Sequence, residues 1–524
     1  MKTFTFRAGA GRGAGAVVAA LGITVALAVP GACAAPSAGT LDPASIDRFV
    51  HDYVAATGLP GAVVAVTRGN RVVHTAGYGH TAAGQAMTAR TRVPVASLSK
   101  AMTAVAVMQL VEAGRVDLDR PVHRYLPEFV MADRRAERIT VRQLLTQTSG
   151  MADSAYPDLT RAQPHTLKEA VAAMRGAHLA AAPGSEYHYH NPNYFVAARL
   201  VEVVSGQPFA ARLSAGVFEP LGMTHTTSVN TTAEMPDRAR GYVRAYGTTL
   251  RRPHPLWFTA GGHGVVTTAE DLSRWLIAQN DHGLSAEGHR IVSARTMELT
   301  HTPPKVPGDT DYAMGWSYDR QDDGFEEIQH TGELLTHNSM ATLLPDAGVG
   351  IAVVTDTGMI SGDDAPQITQ GLVELARGRA AEVAEPFSMT ADRVLAALTL
   401  LSACLGLLGV LRARRWARRV AARPWWRGLL RVLPQALPIL FLSQLATLMG
   451  LLMNRVGTLT QVAYAWPALV VLAAVGALAS AAVVIARAFA VFSRLRRGRH
   501  GGGGGLAWRR RTAGESEGGR HLPR

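Results

Sequence analysis

The sequence contains very little cysteine. Two cysteines occur in 524 residues: Cys33 lies close to the N-terminus, and Cys404 lies in an apolar stretch near the C-terminus. The region between them therefore has neither a cysteine pair for a disulfide nor a cysteine nucleophile. The sequence also lacks an H-E-x-x-H motif and a His/Cys cluster at metal-ligand spacing, so we expect no metal site.

Lysine is scarce as well. The chain holds 53 lysines and arginines, and four of them are lysines: Lys2, Lys100, Lys168 and Lys305. Arginine keeps its proton in proteins, whereas lysine can lose it. A lysine that lies within a motif of this sequence is therefore a candidate for proton transfer.

Acidic residues are nearly absent from the two ends of the chain. The formal net charge is +13, but the arginine excess is confined to residues 1–35 and 395–524, and the region between them is mildly acidic. A nucleic-acid-binding domain carries its basic residues on the folded part of the chain. We therefore expect no nucleic-acid partner.

The N-terminal residues have the three-part pattern of a secretory signal peptide. Basic residues precede an apolar run over 16–29, and small residues surround Cys33. This pattern predicts a signal peptide over residues 1–35. Lipid attachment to Cys33 is the alternative, although Pro30 fits a lipidation motif poorly, so the start of the mature chain stays open.

Three apolar runs near the C-terminus are long enough to cross a bilayer. They cover residues 394–411, 432–453 and 466–485, and they predict a membrane domain over 391–493. The loop 412–431 holds eight arginines, whereas the loop 454–465 holds one, Arg455. The positive-inside rule then predicts a multi-pass protein of the cell membrane, with the preceding domain extracellular and a disordered basic cytoplasmic tail over 494–524.

The middle of the chain has strand patterns at its two ends. Residues 62–68 and 71–77 read as a hairpin, and three further strand-like runs cover 312–318, 338–344 and 350–355. Residues 139–279, which lie between these groups, read mainly as helix and loop. We therefore predict an α+β domain over 36–390, with one antiparallel sheet of N- and C-terminal strands and a helical insertion.

The stretch Ser97-Leu98-Ser99-Lys100 is an S-x-x-K motif at the start of an apolar helix pattern. If Ser97 opens that helix, Lys100 lies one turn further on the same face. The lysine amine then lies beside the serine hydroxyl, and the helix N-terminus offers N–H groups to an oxyanion. A partly desolvated lysine can activate a serine as a nucleophile.

Two further motifs offer partners for this serine. Tyr189 and Asn191 form a Y-x-N, in which a tyrosine whose pKa is lowered by nearby ammonium groups is a general base, and the asparagine amide can bind both substrate and Lys100. His330-Thr331-Gly332 ends a strand-like run, and its glycine lets a substrate approach the strand edge. We expect His330 to be partly protonated near neutral pH.

The three motifs in this order resemble the serine β-lactamase and penicillin-binding protein superfamily. The branch that the chain is most similar to contains class C β-lactamases, D-alanyl-D-alanine carboxypeptidases and esterases. The resemblance runs from about residue 46 to 376, and it implies a β-lactamase/transpeptidase-like fold. Further family-like stretches cover residues 144–151, 219–224, 260–262, 267–271 and 312–316.

The resemblance implies an acyl-enzyme mechanism. Ser97 attacks a carbonyl carbon, and Lys100 and Tyr189 move the protons. Asn191, His330, Thr331 and Gly332 bind the substrate, and the backbone N–H groups of Ser97 and Glu333 form the oxyanion hole. No metal and no organic cofactor is implied.

The resulting hypothesis is a membrane-anchored serine hydrolase that cleaves amide or ester bonds in a small molecule or a peptidoglycan peptide. A β-lactamase or a transacylase is an alternative, and a membrane sensor of penicillin or peptidoglycan fragments is an alternative of another class. Class C β-lactamases have Lys-Thr-Gly at the third motif, so His330 counts against efficient β-lactam hydrolysis. The sequence predicts neither the substrate nor the oligomeric state.

Overall fold

The computed structural model describes residues 39–501, except 307–309, 322–323, 359–363, 422–423 and 454. The predicted signal peptide with Cys33 and most of the predicted basic tail lie outside these residues. The described strands are β1 (Gly61–Arg68), β2 (Arg71–Gly79), β3 (Val93–Pro94), β4 (Thr227–Ser228), β5 (Gly241–Ala245), β6 (Thr248–Arg252), β7 (Val265–Thr267), β8 (Ser317–Arg320), β9 (Glu326–Leu334), β10 (His337–Leu344), β11 (Val349–Thr355) and β12 (Thr357–Gly358).

The described α-helices fall into two groups, one among and beside the strands and one after residue 386. The first group is α1 (Pro43–Thr57), α2 (Ser99–Glu112), α3 (Val141–Leu145), α4 (Leu167–Ala172), α5 (Pro192–Ser205), α6 (Phe209–Leu213), α7 (Ala269–Asn280), α8 (Ala294–His301) and α9 (Asp364–Ala376). The second group is α10 (Phe387–Leu411), α11 (Ala413–Val420), α12 (Trp425–Val432), α13 (Ala436–Met453), α14 (Leu459–Ala465) and α15 (Pro467–Gly501).

The main sheet has six strands in the order β2-β1-β11-β10-β9-β8. Every neighbouring pair is antiparallel, and β1 pairs with the C-terminal strand β11 from Ala62↔Thr355 to Arg68↔Val349. Residues 80–316, which contain most of the helices of the first group, lie between β2 and β8 in the chain. The predicted α+β fold, with a sheet of N- and C-terminal strands and a helical insertion, is therefore confirmed.

Both faces of the main sheet are covered. Successive side chains of a strand point to opposite faces, and in β1 Val64 and Val66 pack in one buried cluster with Ile46 of α1, whereas Val63 and Ala65 join the large cluster that contains α2. β1 accordingly has seven buried residues in a row. This two-sided burial explains why β1 is a continuous apolar run and was predictable from its sequence.

Two strand predictions need correction. Residues 312–318 are not one strand, because Gly315 makes a turn with φ +86° in which a Cβ atom would lie 2.5 Å from the Ala101 backbone nitrogen of α2, and β8 begins only at Ser317. The strand-like run that was predicted to end in His330-Thr331-Gly332 is part of β9, which covers Glu326–Leu334 and continues two residues past Gly332. Within the helical insertion, β5 and β6 form an unpredicted hairpin.

The described chain divides into two compact units. The first unit contains the described residues up to Leu395 together with Leu445–Val470, and the second contains Ala396–Gln444 and the described residues from Val471 onward. Three helical stretches are long and apolar enough to cross a membrane: Phe387–Leu411, Trp425–Met453 and Pro467–Arg496. Each contains one of the predicted apolar runs, save that the third run begins one residue before its stretch.

Candidate active site

Ser97 lies in a tight turn that joins the short strand β3 to helix α2. The turn is a single 3₁₀ turn over Ala96–Leu98, so α2 begins at Ser99, two residues later than predicted. Ala96 has φ +49°, a left-handed conformation that is costly for a residue with a Cβ atom. The Ser99 hydroxyl holds the turn, since it donates to Ala96 O at 2.6 Å and accepts from Val265 N at 2.9 Å.

Lys100 is completely buried, and its amine has three partners. The Nζ atom lies 3.0 Å from Asn191 Oδ1, 2.9 Å from Gly262 O and 2.9 Å from Ser97 Oγ. The amide and carbonyl oxygens accept hydrogen bonds only, whereas a hydroxyl both donates and accepts. A neutral amine therefore donates its two N–H groups to Asn191 and Gly262, and its lone pair can accept the proton of Ser97.

The electrostatic environment favours that neutral amine. Burial is the main cause that lowers the pKa of Lys100 well below its usual value, and the positive charge of Arg455 lowers it further. The carboxylate of Asp158 acts in the opposite direction and is the weaker influence. A lysine without a direct carboxylate partner in a dry site is thus prepared to accept a proton.

Tyr189 is the second group that reaches the serine. Its hydroxyl donates to Ser97 Oγ at 2.8 Å, and its ring lies 4.8 Å from Lys100 Nζ. Burial raises the pKa of Tyr189 to about 12, although the hydrogen bond to Ser97 and the charge of Arg455 act in the opposite direction. The expectation of a lowered tyrosine pKa is therefore wrong, because lost hydration outweighs the nearby cations, and Tyr189 is a proton donor in the resting site.

Asn191 precedes helix α5 and is buried behind Lys100. Its Oδ1 accepts from the lysine amine, and its Nδ2 donates to Asp158 Oδ2 at 3.4 Å. The Y-x-N motif thus places its asparagine against the predicted lysine, as the sequence suggests. Its predicted second role, binding of a substrate amide, stays a prediction.

The third motif lies within β9, on the strand edge that faces the Ser97 turn. Pairing of β8 with β9 runs from Glu326 to Gln329, so the following residues continue past the end of β8. A Cβ atom on Gly332 would lie 2.5 Å from Val95 O and 3.0 Å from Ser97 N, so only glycine lets the strand approach this closely. Thr331 is exposed beside it, and Glu333 follows on the same strand.

The predicted oxyanion hole uses the amides of Ser97 and Glu333. The close packing of β9 on the Ser97 turn is consistent with this prediction. The assignment stays a prediction, as do the substrate contacts of Thr331 and Gly332.

His330 is uncharged in the structure. Burial is the main cause that lowers its pKa to about 3. Its Nδ1 lies 2.5 Å from Thr331 O and its Nε2 lies 3.2 Å from the Tyr312 hydroxyl. The expectation of partial protonation near neutral pH is therefore wrong, because the imidazole is buried and hydrogen-bonded in its neutral form.

The structure adds three buried groups that the sequence analysis did not single out. Asp153, Asp158 and His190 place one ligand atom each within 4.8 Å of one another. Ligand atoms this close together can hold a metal ion, which was not expected from the sequence. The charge of Arg455 acts on both Asp153 and His190, however, and a fixed positive charge opposes cation binding at this cluster.

Comparisons with known proteins point to one family. The model of the Beta-lactamase family matches residues 46–370. Penicillin-binding protein 4 of Amycolatopsis lactamdurans is 31% identical over 344 residues, which cover 63% of this chain and 89% of that protein. Protein flp of Staphylococcus aureus (strain N315) is 28% identical over 323 residues, which cover 59% of this chain and 62% of that protein, so the match spans less than two thirds of this relative.

Solved structures give the same result for the fold. The octameric penicillin-binding protein homologue from Pyrococcus abyssi aligns with a TM-score of 0.56 at 25% identity. The alignment covers 67% of this chain and 81% of that structure.

Proposed function

The chain belongs to the Beta-lactamase family, and on that basis we propose that it is a membrane-anchored serine hydrolase that forms an acyl-enzyme at Ser97. The resemblance to the serine β-lactamase and penicillin-binding protein superfamily is thereby confirmed. The proposed reaction is cleavage of an amide or ester bond, as in D-alanyl-D-alanine carboxypeptidases or esterases.

One observation carries the proposal. Ser97 Oγ lies between Lys100 Nζ at 2.9 Å and the Tyr189 hydroxyl at 2.8 Å. A neutral lysine accepts the serine proton, and a protonated tyrosine donates to the same oxygen. The pKa shifts of both groups, downward for the lysine and upward for the tyrosine, support this division of roles.

The proposed acylation step follows from these roles. The Ser97 proton moves to Lys100 as Oγ attacks the carbonyl carbon, and the amides of Ser97 and Glu333 stabilise the oxyanion. Tyr189 then protonates the leaving group while the bond to it breaks. The extra proton on Lys100 then passes to the Tyr189 phenolate, which restores both groups. In deacylation water attacks the acyl carbon and gives its proton to Lys100, while Tyr189 protonates the departing Ser97 Oγ; the proton on Lys100 again passes to Tyr189.

We expect this protein to act on a narrower range of substrates than the family as a whole. His330 stands where class C β-lactamases have a lysine, and its neutral imidazole brings no positive charge to an anionic substrate at that position. We therefore place amide or ester cleavage in peptidoglycan peptides or small molecules ahead of β-lactam hydrolysis. The name of the relative penicillin-binding protein 4 supports slow acylation by penicillin as an additional property.

We place the protein in the cell membrane, with its catalytic unit outside and its C-terminal tail in the cytoplasm. The three apolar helices support the membrane location. The unequal arginine content of the two loops supports the orientation.

The test is covalent labelling of the full-length protein in detergent micelles, beside a Ser97→Ala variant. A fluorescent penicillin and a fluorophosphonate are the probes, and mass spectrometry of the adduct locates the label. We expect one of the probes to label Ser97 in the wild type and neither to label the variant. A folded wild type that reacts with neither probe, or equal labelling of the variant, would contradict the covalent mechanism.

A further inference from the structure

A short segment between the second and third apolar helices packs beside the candidate active site. This connecting segment, residues 455–466, contains the helix α14 and belongs to the first compact unit. The Val456 amide donates to the Asp153 carboxylate, and Gln461 Nε2 donates to Leu159 O at 2.9 Å. The segment is therefore held by specific polar contacts.

The same segment also contacts β6 and a buried cluster beside the Ser97 turn. Arg252 Nη1 donates to Ala463 O and Tyr464 O, each at 2.9 Å, and its guanidinium lies 4.8 Å from the Tyr464 ring centre. Ala465 belongs to one buried cluster with Ala96, the neighbour of Ser97, and with Leu334, the last residue of β9. The connecting segment thus contacts both the Asp153 region and the buried cluster at the end of β9.

Arg455 is the first residue of this segment, and its guanidinium has an unused donor. Its Nη2 atom is buried without a hydrogen-bond partner, while the residue as a whole is partly exposed. A buried N–H group without an acceptor is costly, and a substrate oxygen that supplies the acceptor removes that cost. Of the two carboxylates nearby, Asp153 accepts from Val456, and Asp158 accepts from Asn191 through Oδ2 while its Oδ1 atom is buried without a partner.

Arg455 also supplies a charge that the sequence motifs lack. Its chain neighbour Val456 donates to Asp153, whose ligand atom lies within 4.8 Å of that of Asp158, the acceptor of the Asn191 amide. Arg455 is therefore near Lys100 and Tyr189, and its positive charge influences both. Lys100 and His330 favour their neutral forms, whereas arginine stays protonated. None of these contacts involves the third motif on β9, where we expect the leaving group to bind.

We propose that Arg455 binds an anionic group, such as a carboxylate, on the acyl part of the substrate, and that the connecting segment forms one wall of the substrate cleft. This proposal rests on the proposed function, because it names a specificity determinant of the same acyl-transfer site. It assigns to a loop of the membrane part a direct role in choosing the substrate.

The experiment compares two chromogenic esters of identical acyl length, mono-4-nitrophenyl adipate and its methyl ester. The first carries a free carboxylate at the end of the acyl chain, and the second is neutral there. Full-length wild type, Arg455→Gln and Arg455→Lys are assayed in micelles, with Arg68→Gln at the exposed β1–β2 turn as the matched control. The ratio of kcat/KM for the two esters is measured on one preparation, so it does not depend on the folded fraction.

We expect Arg455→Gln to lower this ratio by about tenfold, because it removes a charge-assisted hydrogen bond. Arg455→Lys should retain part of the preference, and Arg68→Gln should retain all of it. An equal loss of kcat/KM with both esters would mean that Arg455 has a structural role. A gain of kcat/KM with both would mean that the connecting segment blocks access to the site. Either result, or no change, would overturn the proposal.

Failure of the proposed function can be distinguished from failure of the Arg455 assignment alone. A wild type that hydrolyses neither ester, or a Ser97→Ala variant that hydrolyses both at the wild-type rate, would refute the acyl-enzyme mechanism. The assignment of Arg455 would then be refuted with it.

Discussion

Lys100 and Arg244 are both buried basic residues of the first unit, but their partners differ in kind. Arg244 is 2% exposed and forms an ion pair with Asp364, with Nη2 2.8 Å from Oδ1 and Nε 3.3 Å from Oδ2. Asp364 also accepts from the hydroxyls of Tyr53 and Thr357. By contrast, the hydrogen-bond partners of Lys100 among the described residues are all neutral oxygens.

The difference separates a structural cation from a reactive amine. A buried ion pair with every hydrogen bond satisfied keeps both charges and resists the loss of either partner. A buried lysine with neutral partners loses its proton instead, because burial penalises the charged form. In the same unit, Arg244 is buried with its charge kept by an ion pair, whereas burial favours the uncharged form of Lys100.

Removing the reactive amine gives the largest expected effect on activity. Lys100→Met should lower the rate of Ser97 acylation by about 1000-fold or more, because the serine loses its general base. The protein should remain folded, since no charge is left unpaired. The measurement is the second-order rate of fluorophosphonate labelling, with the exposed Lys168→Met as the matched control, and labelling within tenfold of wild type would contradict the assigned role.

Breaking the ion pair between Arg244 and Asp364 should lower stability and leave the acylation rate nearly unchanged. Asp364→Asn leaves Arg244 buried without its carboxylate, which should cost about 3–5 kcal/mol of stability. The urea concentration at which half of the acylation is lost should therefore fall, while the labelling rate of folded protein in buffer stays within about twofold. The exposed Asp52→Asn is the control. If Asp364→Asn slowed labelling without lowering stability, the two regions would not be separate.

The sequence predicted the reactive region better than the structural pair. The S-x-x-K and Y-x-N motifs name Ser97, Lys100, Tyr189 and Asn191, which the structure brings within hydrogen-bond distance of one another. Their spacing along the chain is specific to one architecture. Arg244 and Asp364 lie in no motif, and their pairing depends on how β5 packs beside the start of α9.

A substitution at Gly332 tests how closely β9 must approach Ser97 for acylation. Gly332→Ala would place a Cβ atom against Val95 O, so we expect the strand to shift and acylation to slow by about 100-fold. Gly176→Ala is the matched control, because a Cβ atom there meets nothing within 4 Å. Equal labelling rates for the two variants would mean that the strand edge is not needed for acylation.

The remaining wrong predictions concern properties that depend on the folded structure. Burial reverses the expected pKa shift of Tyr189 and removes the charge of His330, and neither residue's burial is visible in its local sequence. Arg455 was recognisable only as a single arginine in an otherwise uncharged loop. Its position near Lys100 follows from the docking of that loop in the first unit, which no periodicity encodes.

The measurement that tests the central claim most directly is the pH dependence of Ser97 acylation by a fluorophosphonate in the full-length protein. Protonation of Lys100 removes the base, so the rate should fall as pH drops through its folded pKa. The account predicts a plateau reached well below pH 10.5, the usual lysine value, and an unchanged midpoint in His330→Gln. A plateau reached only near pH 10.5, or a step near pH 6.5 that disappears in His330→Gln, would contradict it.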